Sequence, residues 1–270
     1  MIDNDIIDYL IENETYFLPV LDKFNNDYSK KPDCLDFKIF YENNKIDSLI
    51  AYTDYGSFYP HVKPKYLNET IYFINNSNLL LFSIYGEISQ IKEILNNLDY
   101  KSKNYIEYYS MLLLKENFQE FSNYNRNILC RKCDKRDFNN LKKLQYLYHK
   151  EEVYTNGVYY PYEAEMESFK QLLETRLNYA IFNEKNRAVS KVNVNGESPN
   201  YFQIGGMFTM KEYRNKGYAR LCLNALSKEG VNNFDKNGII LFVKKDNYPA
   251  IKAYEKLGFK VVKETAICYF

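Results

Sequence analysis

The stretch IGGMFTMKEYRNKGYA, residues 204–219, decides the fold class because a β-prone run passes through a basic, glycine-bearing turn into a helical pattern. A turn that opens a helix leaves backbone N–H groups unpaired at one point, and the helix dipole adds positive charge there. Phosphate is the natural ligand of such a point. The alternative is an ordinary strand–turn–helix with a solvated basic turn. The residues predicted to form the turn are Arg214, Asn215, Lys216, Gly217, Tyr218 and Ala219.

A second segment, LFVKKDNYPAIKAYEKLGF at residues 241–259, has the same strand-then-helix character. Asn247 is the predicted N-cap, and Pro249 follows in the first turn, where its missing N–H costs little. The helix is expected to end near Leu257, with Gly258 in the left-handed position that closes many helices. The sequence therefore predicts two consecutive strand–helix units.

Together the two segments resemble the GNAT acetyltransferase superfamily. RNKGYA, residues 214–219, matches the R/Q-x-x-G-x-G/A pyrophosphate loop of that family. The second motif, Asn-x-x-Ala-x-x-x-Tyr-x-x-x-Gly-Phe, is matched by Asn247, Ala250, Tyr254, Gly258 and Phe259. The resemblance covers residues 126–270 and implies acetyl-CoA as acetyl donor, with an amine as acceptor.

The patterning of the second half agrees with that fold. It predicts a strand, two helices, three antiparallel strands, a helix, a strand, a helix and a hairpin, and Gly205-Gly206 suggests a bulge in the third of those strands. We expect an α/β (α+β) protein: a GNAT domain at 125–270 with a central mixed, mostly antiparallel sheet, preceded by a second α+β domain at 1–124.

The first half has fewer diagnostic features. Its strand-like runs, with Gly86 leading into a predicted helix, resemble a second GNAT half only weakly. Glu87 and Ile88 follow Gly86, so that turn offers a phosphate no cation. The interpretation is a degenerate GNAT-like or other α+β domain that shapes the substrate site or a homodimer interface.

Charge separates the two halves. Residues 1–120 hold 19 acidic and 11 basic side chains, whereas residues 121–270 hold 16 acidic and 25 basic ones. The positive second half suits a polyanionic cosubstrate such as coenzyme A. Nucleic acid is the competing partner, but it is disfavoured because the basic residues are spread over several elements without a continuous basic arm.

Several features point to a cytoplasmic protein without a metal. Residues 1–14 are acidic, unlike a secretory leader, and no apolar run reaches the length of a membrane span. The five cysteines are odd in number and scattered, which indicates a reducing compartment. Cys130 and Cys133 form one C-x-x-C, but no second pair follows at metal-ligand spacing, and residues three apart in a strand face opposite sides.

The resemblance also implies roles for individual residues. The cosubstrate is expected to pair with the backbone of Met207, Phe208 and Thr209 and to lie on the turn that ends at Ala219. Asn247 is expected to cap its helix and contact the cosubstrate. Tyr254 is the predicted general acid, because a neutral phenol can protonate the departing thiolate. The alternative is that Tyr254 only packs in the core.

The general base is left open. Gln203 stands where some family members have a glutamate, and an amide cannot serve as a base. The candidates are ordered water and the side chains of His149, Glu163, Glu165 and Glu167.

These observations predict an N-acetyltransferase that moves an acetyl group from acetyl-CoA to a primary amine of a small molecule or peptide. Two alternatives stay open: an inactive CoA-binding regulatory module, and an aminoacyl-tRNA-dependent transferase. The loop at 151–161 and the first half are expected to define the acceptor.

Overall fold

The computed structural model describes residues 2–119, 128–154 and 161–270. The main elements of the first half are α1 (Asn4–Glu12), α2 (Glu14–Leu21), β1 (Leu35–Glu42), β2 (Lys45–Thr53), β3 (Ser57–His61), α3 (Leu67–Asn75), β4 (Ser83–Glu87), α4 (Ile88–Asn96) and β5 (Asn104–Leu114). Those of the second half are β6 (Leu129–Cys133), α5 (Phe138–Tyr148), α6 (Tyr162–Thr175), β7 (Asn178–Phe182), β8 (Ala188–Glu197), β9 (Tyr201–Thr209), α7 (Tyr218–Asn233), β10 (Gly238–Lys244), α8 (Tyr248–Glu255) and β11 (Lys260–Tyr269). The predicted boundary at 124/125 lies outside the described residues.

All the described strands belong to one sheet, in the order β1-β2-β3-β4-β11-β5-β10-β9-β8-β7-β6. Only the pairs β3–β4 and β9–β10 are parallel, so among the described strands the sheet is mixed and mostly antiparallel, as predicted. The last strand of each half is inserted toward the other half: β11 lies between β4 and β5, and β5 lies between β11 and β10. The two halves are therefore joined by continuous backbone hydrogen bonding.

The fold contains an internal repeat. The order strand, helix, strand, helix, strand occurs as β3-α3-β4-α4-β5 and again as β9-α7-β10-α8-β11. In each copy the first two strands are parallel neighbours. The first half is thus built like the second, although its sequence shows this only weakly.

The sheet of the second half is covered on both faces, because alternate residues of a strand point to opposite sides. Ile181 and Val189 pack with Leu221 and Leu226 of α7, whereas Phe182 packs with α5 and α6 on the other face. The two cysteines of the C-x-x-C on β6 follow the same rule: Cys130 packs against the α7 side and Cys133 lies in the core of the α5–α6 side.

One predicted element is wrong. The chain end was expected to be a hairpin, but Lys260–Tyr269 is a single strand. It pairs with β4 on one edge and with β5 on the other, with a register shift between Val261 and Lys263. Both edges are satisfied by strands more than 140 residues away in sequence, which local patterning does not reveal. Among the described residues, no helix combines the length and the apolarity that a membrane crossing requires.

Candidate active site

The parallel strands β9 and β10 separate halfway along β9. Their ladder ends at the pair Ile204–Leu241, although β9 continues to Thr209. On the other edge of β9, the register with β8 shifts between Gly205 and Phe208, which confirms the bulge predicted at Gly205-Gly206. The gap between the strands beyond Ile204 and Leu241, the second opening, contains a cavity of about 380 Å³.

Buried polar side chains hold the bulge. Gly206 has φ of +56°, and a Cβ there would lie 1.9 Å from Asn193 Oδ1. Lys191 Nζ donates to the Gly206 carbonyl at 2.8 Å and to Asn193 Oδ1 at 3.0 Å. The Gly206 N–H donates to the Tyr148 hydroxyl. Side chains on β8 and α5 therefore fix both peptide groups of the residue at which β9 turns away.

Lys191 is a functional candidate that sequence reasoning missed. Its side chain is 2% exposed, and burial lowers the pKa of its amine to about 7. Its ammonium nitrogen lies over the rings of Tyr148 and Phe169, at 5.5 and 5.3 Å from the centroids. The signal in the sequence was a lysine within the apolar strand AVSKVNV, where an unpaired charge is expensive.

Three of the predicted site residues, Met207, Asn247 and Tyr254, line this cavity. Asn247 caps α8, because its Oδ1 accepts from the N–H of Ala250 at 3.3 Å. Tyr254 is 8% exposed and its ring lies 5.8 Å from that of Phe259, and burial raises the pKa of its phenol. Tyr254 thus packs in the core and also faces the cavity, so the two interpretations of this residue are compatible.

The predicted phosphate turn has the backbone of an anion site. Asn215 and Gly217 both have left-handed conformations, with φ of +63° and +77°. Alternating left-handed residues turn successive N–H groups toward one concavity. Gly217 is the residue before α7, and a Cβ added there would meet no described atom within 4 Å. The described residues therefore leave open space beside Gly217 at the N-terminus of α7.

Other predicted residues have different neighbours. Arg214 Nη2 donates to both carboxylate oxygens of Glu151, at 2.7 and 2.9 Å, and its Nε donates to the Thr209 carbonyl. Lys216 lies over the ring of Tyr213, 5.1 Å from its centroid. Tyr218 stacks on Tyr213 and lines a separate cavity of about 790 Å³, which α5 and the β7–β8 turn also border.

The remaining predicted residues contribute backbone more than side chain. Phe208 is 6% exposed in the core beneath α5 and α6, and the Thr209 hydroxyl bonds to Ser190 at 2.8 Å. Ala219 lies in the first turn of α7. The contact of the cosubstrate with main-chain groups here stays a prediction.

The candidate bases do not line the cavity in the described part of the chain. Glu163 and Glu167 are exposed. Glu165 is 4% exposed, with its Oε1 3.1 Å from His149 Nδ1, and it accepts from the Tyr154 hydroxyl. Burial lowers the pKa of His149 to about 4, so the imidazole is neutral at physiological pH. Glu165 and His149 therefore lie side by side, but neither is among the described residues that line the cavity.

Glu152 was missed as an individual residue, although it lies in the segment expected to define the acceptor. It lines the cavity, and its side chain is 33% exposed. Lys244 Nζ donates to the Glu152 main-chain carbonyl at 2.8 Å and lies 3.8 Å from Glu152 Oε2. Burial raises the pKa of the Glu152 carboxyl, with Lys244 opposing the shift.

The first half has an equivalent divergence between parallel strands. The β3–β4 ladder consists of Ser57–Ser83 and Phe58–Ile84, after which the strands separate; we call this gap the first opening. Tyr16 of α2 is 0% exposed and fills it. Its hydroxyl lies within hydrogen-bond distance of the carbonyls of Pro60 on β3 and of Tyr85 on β4, the second at 3.3 Å.

Comparison with known proteins shows what the second half is similar to. Residues 141–259 match the family model described as acetyltransferase (GNAT) family. This part of the chain is therefore similar to GNAT domains. A stretch of 54 residues is 48% identical to an N-alpha-acetyltransferase of Saccharolobus solfataricus; it covers 20% of this chain and 32% of that relative. The match thus spans about a third of the relative's length.

Similar solved structures extend over both halves. A Drosophila protein superposes with a TM-score of 0.70 at 11% identity, over 99% of this chain and 95% of that one. A tandem GNAT protein from the clavulanic acid biosynthesis pathway gives 0.57 at 8% identity, over 94% and 92%. A GCN5-related N-acetyltransferase from Sphaerobacter thermophilus gives 0.59 at 11%, over 93% and 84%. The chain therefore has a tandem GNAT fold, which confirms the expected fold class and a GNAT-like first half.

Proposed function

We propose that this protein transfers an acetyl group from acetyl-CoA to a primary amine, and that the second opening is where the transfer occurs. The observation that carries the proposal is the cavity formed where β9 leaves β10, with Tyr254 in its wall and the left-handed turn at Gly217 downstream on the same strand path. The acetyltransferase family of the domain supports the choice of reaction.

Three features of the described residues support acetyl-CoA as the cosubstrate. The backbone of Gly206–Thr209, beyond the end of the β9–β10 ladder, would pair with the amide-bearing pantetheine arm as an added strand does. The N–H groups of Asn215–Ala219 would bind the pyrophosphate, and the missing Cβ of Gly217 leaves it room. Lys216 would add charge, and Arg214 would contribute by exchanging Glu151 for a phosphate oxygen.

Bound there, the cosubstrate supplies a thioester carbonyl for the amine to attack. Tyr254 keeps its proton because burial raises its pKa, so it can donate to the sulfur that departs. A positioned acid of this kind contributes typically about 10²–10⁴-fold. Lys191 and Asn193 hold the bulge so that the neighbouring peptide groups keep one orientation.

The test combines binding and turnover. Calorimetry with acetyl-CoA should show association, and the melting temperature should rise with its concentration, because a ligand of the native state stabilises it. Release of free thiol should then depend on an added primary amine. Binding without thiol release across a broad amine panel would indicate an inactive CoA-binding module, and a requirement for tRNA would indicate the other transferase class.

A further inference from the structure

The lining of the second opening's cavity combines one acidic group with several aromatic rings. Of the described residues that line it, Glu152 alone carries a carboxylate. Tyrosines from four different elements line the same cavity: Tyr108 of β5, Tyr148 of α5, Tyr254 of α8 and Tyr269 of β11. An acidic group among aromatic rings is a binding site for an organic cation, because ring faces attract positive charge.

Glu152 and the tyrosines that line this cavity interact electrostatically. Burial raises the pKa values of Tyr108, Tyr148 and Tyr254, and the negative charge of Glu152 adds to the rise in each case. Tyr269 also contributes to the raised pKa of Tyr108. The carboxylate and the phenol that the proposed reaction uses as its acid therefore line the same cavity and influence each other's charge.

Lys244 both positions the Glu152 main chain and forms an ion pair with its carboxylate. Its ammonium bonds to the Glu152 main-chain carbonyl at 2.8 Å, whereas 3.8 Å to Oε2 is too long for a hydrogen bond. The other charges that act on the carboxylate are those of Glu151, Arg214 and Asp246. Glu151 is paired with Arg214, which removes much of its effect. The Glu152 carboxylate, a third exposed, remains accessible from the cavity.

We propose, resting on the function above, that Glu152 binds the ammonium group of the acceptor and takes its proton. The acceptor class that fits is a primary amine without a carboxylate beside it, since a neighbouring carboxylate would be repelled by Glu152 and poorly solvated among four tyrosines. Both small alkylamines and the amino groups of peptides meet this description.

The proton balance of the step is complete. The ammonium gives one proton to Glu152, and the neutral nitrogen forms the C–N bond to the acetyl carbon as the C–S bond breaks. The sulfur keeps the bonding electron pair and takes a proton from Tyr254, which recovers one from the nitrogen as the amide forms. Glu152 releases its proton to water. No oxidant or metal takes part in this balance.

The main test is the pH profile of Glu152→Gln, with Glu163→Gln as the matched control on an exposed carboxylate. With butylamine and acetyl-CoA at pH 7, Glu152→Gln should lower kcat/KM by about 10²-fold or more, whereas the control should stay at the wild-type value. Near pH 10.5 half of the butylamine is already neutral, so the deficit should shrink to about tenfold or less. A purely structural defect would persist at high pH.

A second measurement does not depend on turnover. Calorimetric titration of butylammonium into the protein with CoA should show binding that Glu152→Gln weakens and Glu163→Gln does not. Acetyl-CoA affinity should be equal in all three proteins, which separates this inference from the proposed function. If Glu152→Gln unfolds, Glu152→Asp keeps the charge and should retain ammonium binding while losing turnover.

The proposed acceptor class is tested by comparing three amines as substrates. Butylamine and a peptide amide with a free N-terminus should both be acetylated, and glycine should be at least about tenfold poorer than butylamine. A wild-type enzyme that turns over while Glu152→Gln matches Glu163→Gln at pH 7 would overturn the assignment of Glu152. Equal use of glycine would overturn the acceptor class.

Discussion

The two openings have the same topology and opposite contents. In the second opening, β9 is bulged against β8, buried Lys191 and Asn193 support the bulge, and a cavity results. In the first opening, β2 and β3 pair without a register shift, and Tyr16 fills the gap. Parallel strands that separate leave peptide groups that need partners. In the second half they face a cavity, whereas in the first half Tyr16 supplies a partner.

The turns that follow β9 and β3 also differ: the first is open and the second is occupied by paired side chains. The turn after β9 has left-handed Asn215 and Gly217 and open space at the helix start. The topologically equivalent turn of the first half follows β3, not Gly86, and contains Pro64 between Lys63 and Lys65. Both lysines are paired with Asp47. The first half therefore also has cations in this turn, but their partner is a carboxylate of the protein itself.

The largest expected effect comes from a substitution in the predicted phosphate turn, which follows β9. Gly217→Val should weaken acetyl-CoA binding by about 10²–10⁴-fold, because it would displace the pyrophosphate from at least two charge-assisted hydrogen bonds of about 1.5–3 kcal/mol each. Calorimetry measures the change. The φ of +77° makes the same variant cost about 1–2 kcal/mol of stability, which urea unfolding reports.

Gly217→Ala is its control, since it introduces the same backbone strain with a smaller side chain. It should bind acetyl-CoA more tightly than the valine variant at similar stability. Equal and undiminished affinity in both variants would mean that the turn does not hold the cosubstrate.

Lys191→Met tests how the buried amine that supports the bulge affects stability at different pH values. The native amine has a pKa of about 7, whereas in the unfolded chain it is about 10.4, so between these values the unfolded state binds more protons. Wild-type stability should therefore rise with pH relative to the variant, by up to about 1.4 kcal/mol per unit between pH 7 and 9. Below pH 7 the difference should be constant. Urea unfolding at several pH values measures it.

The exposed Lys216→Met is the matched control and should show no such slope relative to wild type. Parallel pH profiles of wild type and Lys191→Met would show that the Lys191 amine is charged in the native state.

Tyr254→Phe tests whether the second opening contains the proposed general acid. Turnover should fall about tenfold to hundredfold, because the departing sulfur loses its proton donor, whereas acetyl-CoA affinity should stay within about twofold. Tyr248→Phe, on the same helix and 68% exposed, is the control. Unchanged kcat in Tyr254→Phe would assign this tyrosine to the core alone.

The smallest effect concerns the first opening. Tyr16→Phe removes the donor from the carbonyls of Pro60 and Tyr85 and should cost about 1–2 kcal/mol of stability. Turnover should not change, since Tyr16 does not line the cavity of the second opening. Tyr72→Phe, which is 68% exposed, should leave stability unchanged. A loss of acetyl-CoA binding in Tyr16→Phe would contradict the proposal that only the second opening binds the cosubstrate.

Prediction from sequence worked best where the signal was local. The cap by Asn247, the left-handed Gly258 and the bulge at Gly205-Gly206 are confirmed, because each depends on neighbouring residues and their backbone preferences. The final hairpin was wrong because the partners of β11 lie in the first half. The residue roles at the site stay predictions.

Glu152 and Lys191 show why the site was only partly predicted. Nothing in the sequence distinguishes Glu152 from Glu151, yet one lines the cavity and the other pairs with Arg214. The sequence shows Lys191 as a charge in an apolar strand. Its role depends on its hydrogen bond to the Gly206 carbonyl, and the two residues are neighbours only because β8 pairs with β9.

By itself, the sequence determined the α/β character of the second half, its two motifs and the family they indicate, since turns, caps and glycine conformations are set within a few residues. The tertiary structure alone decided the exchange of β5 and β11, the closing of the first opening by Tyr16, and the placing of Glu152 among four tyrosines. These depend on contacts between residues far apart in the chain, and such contacts are selected by the packing of the whole sheet and by the need to pair every buried polar group.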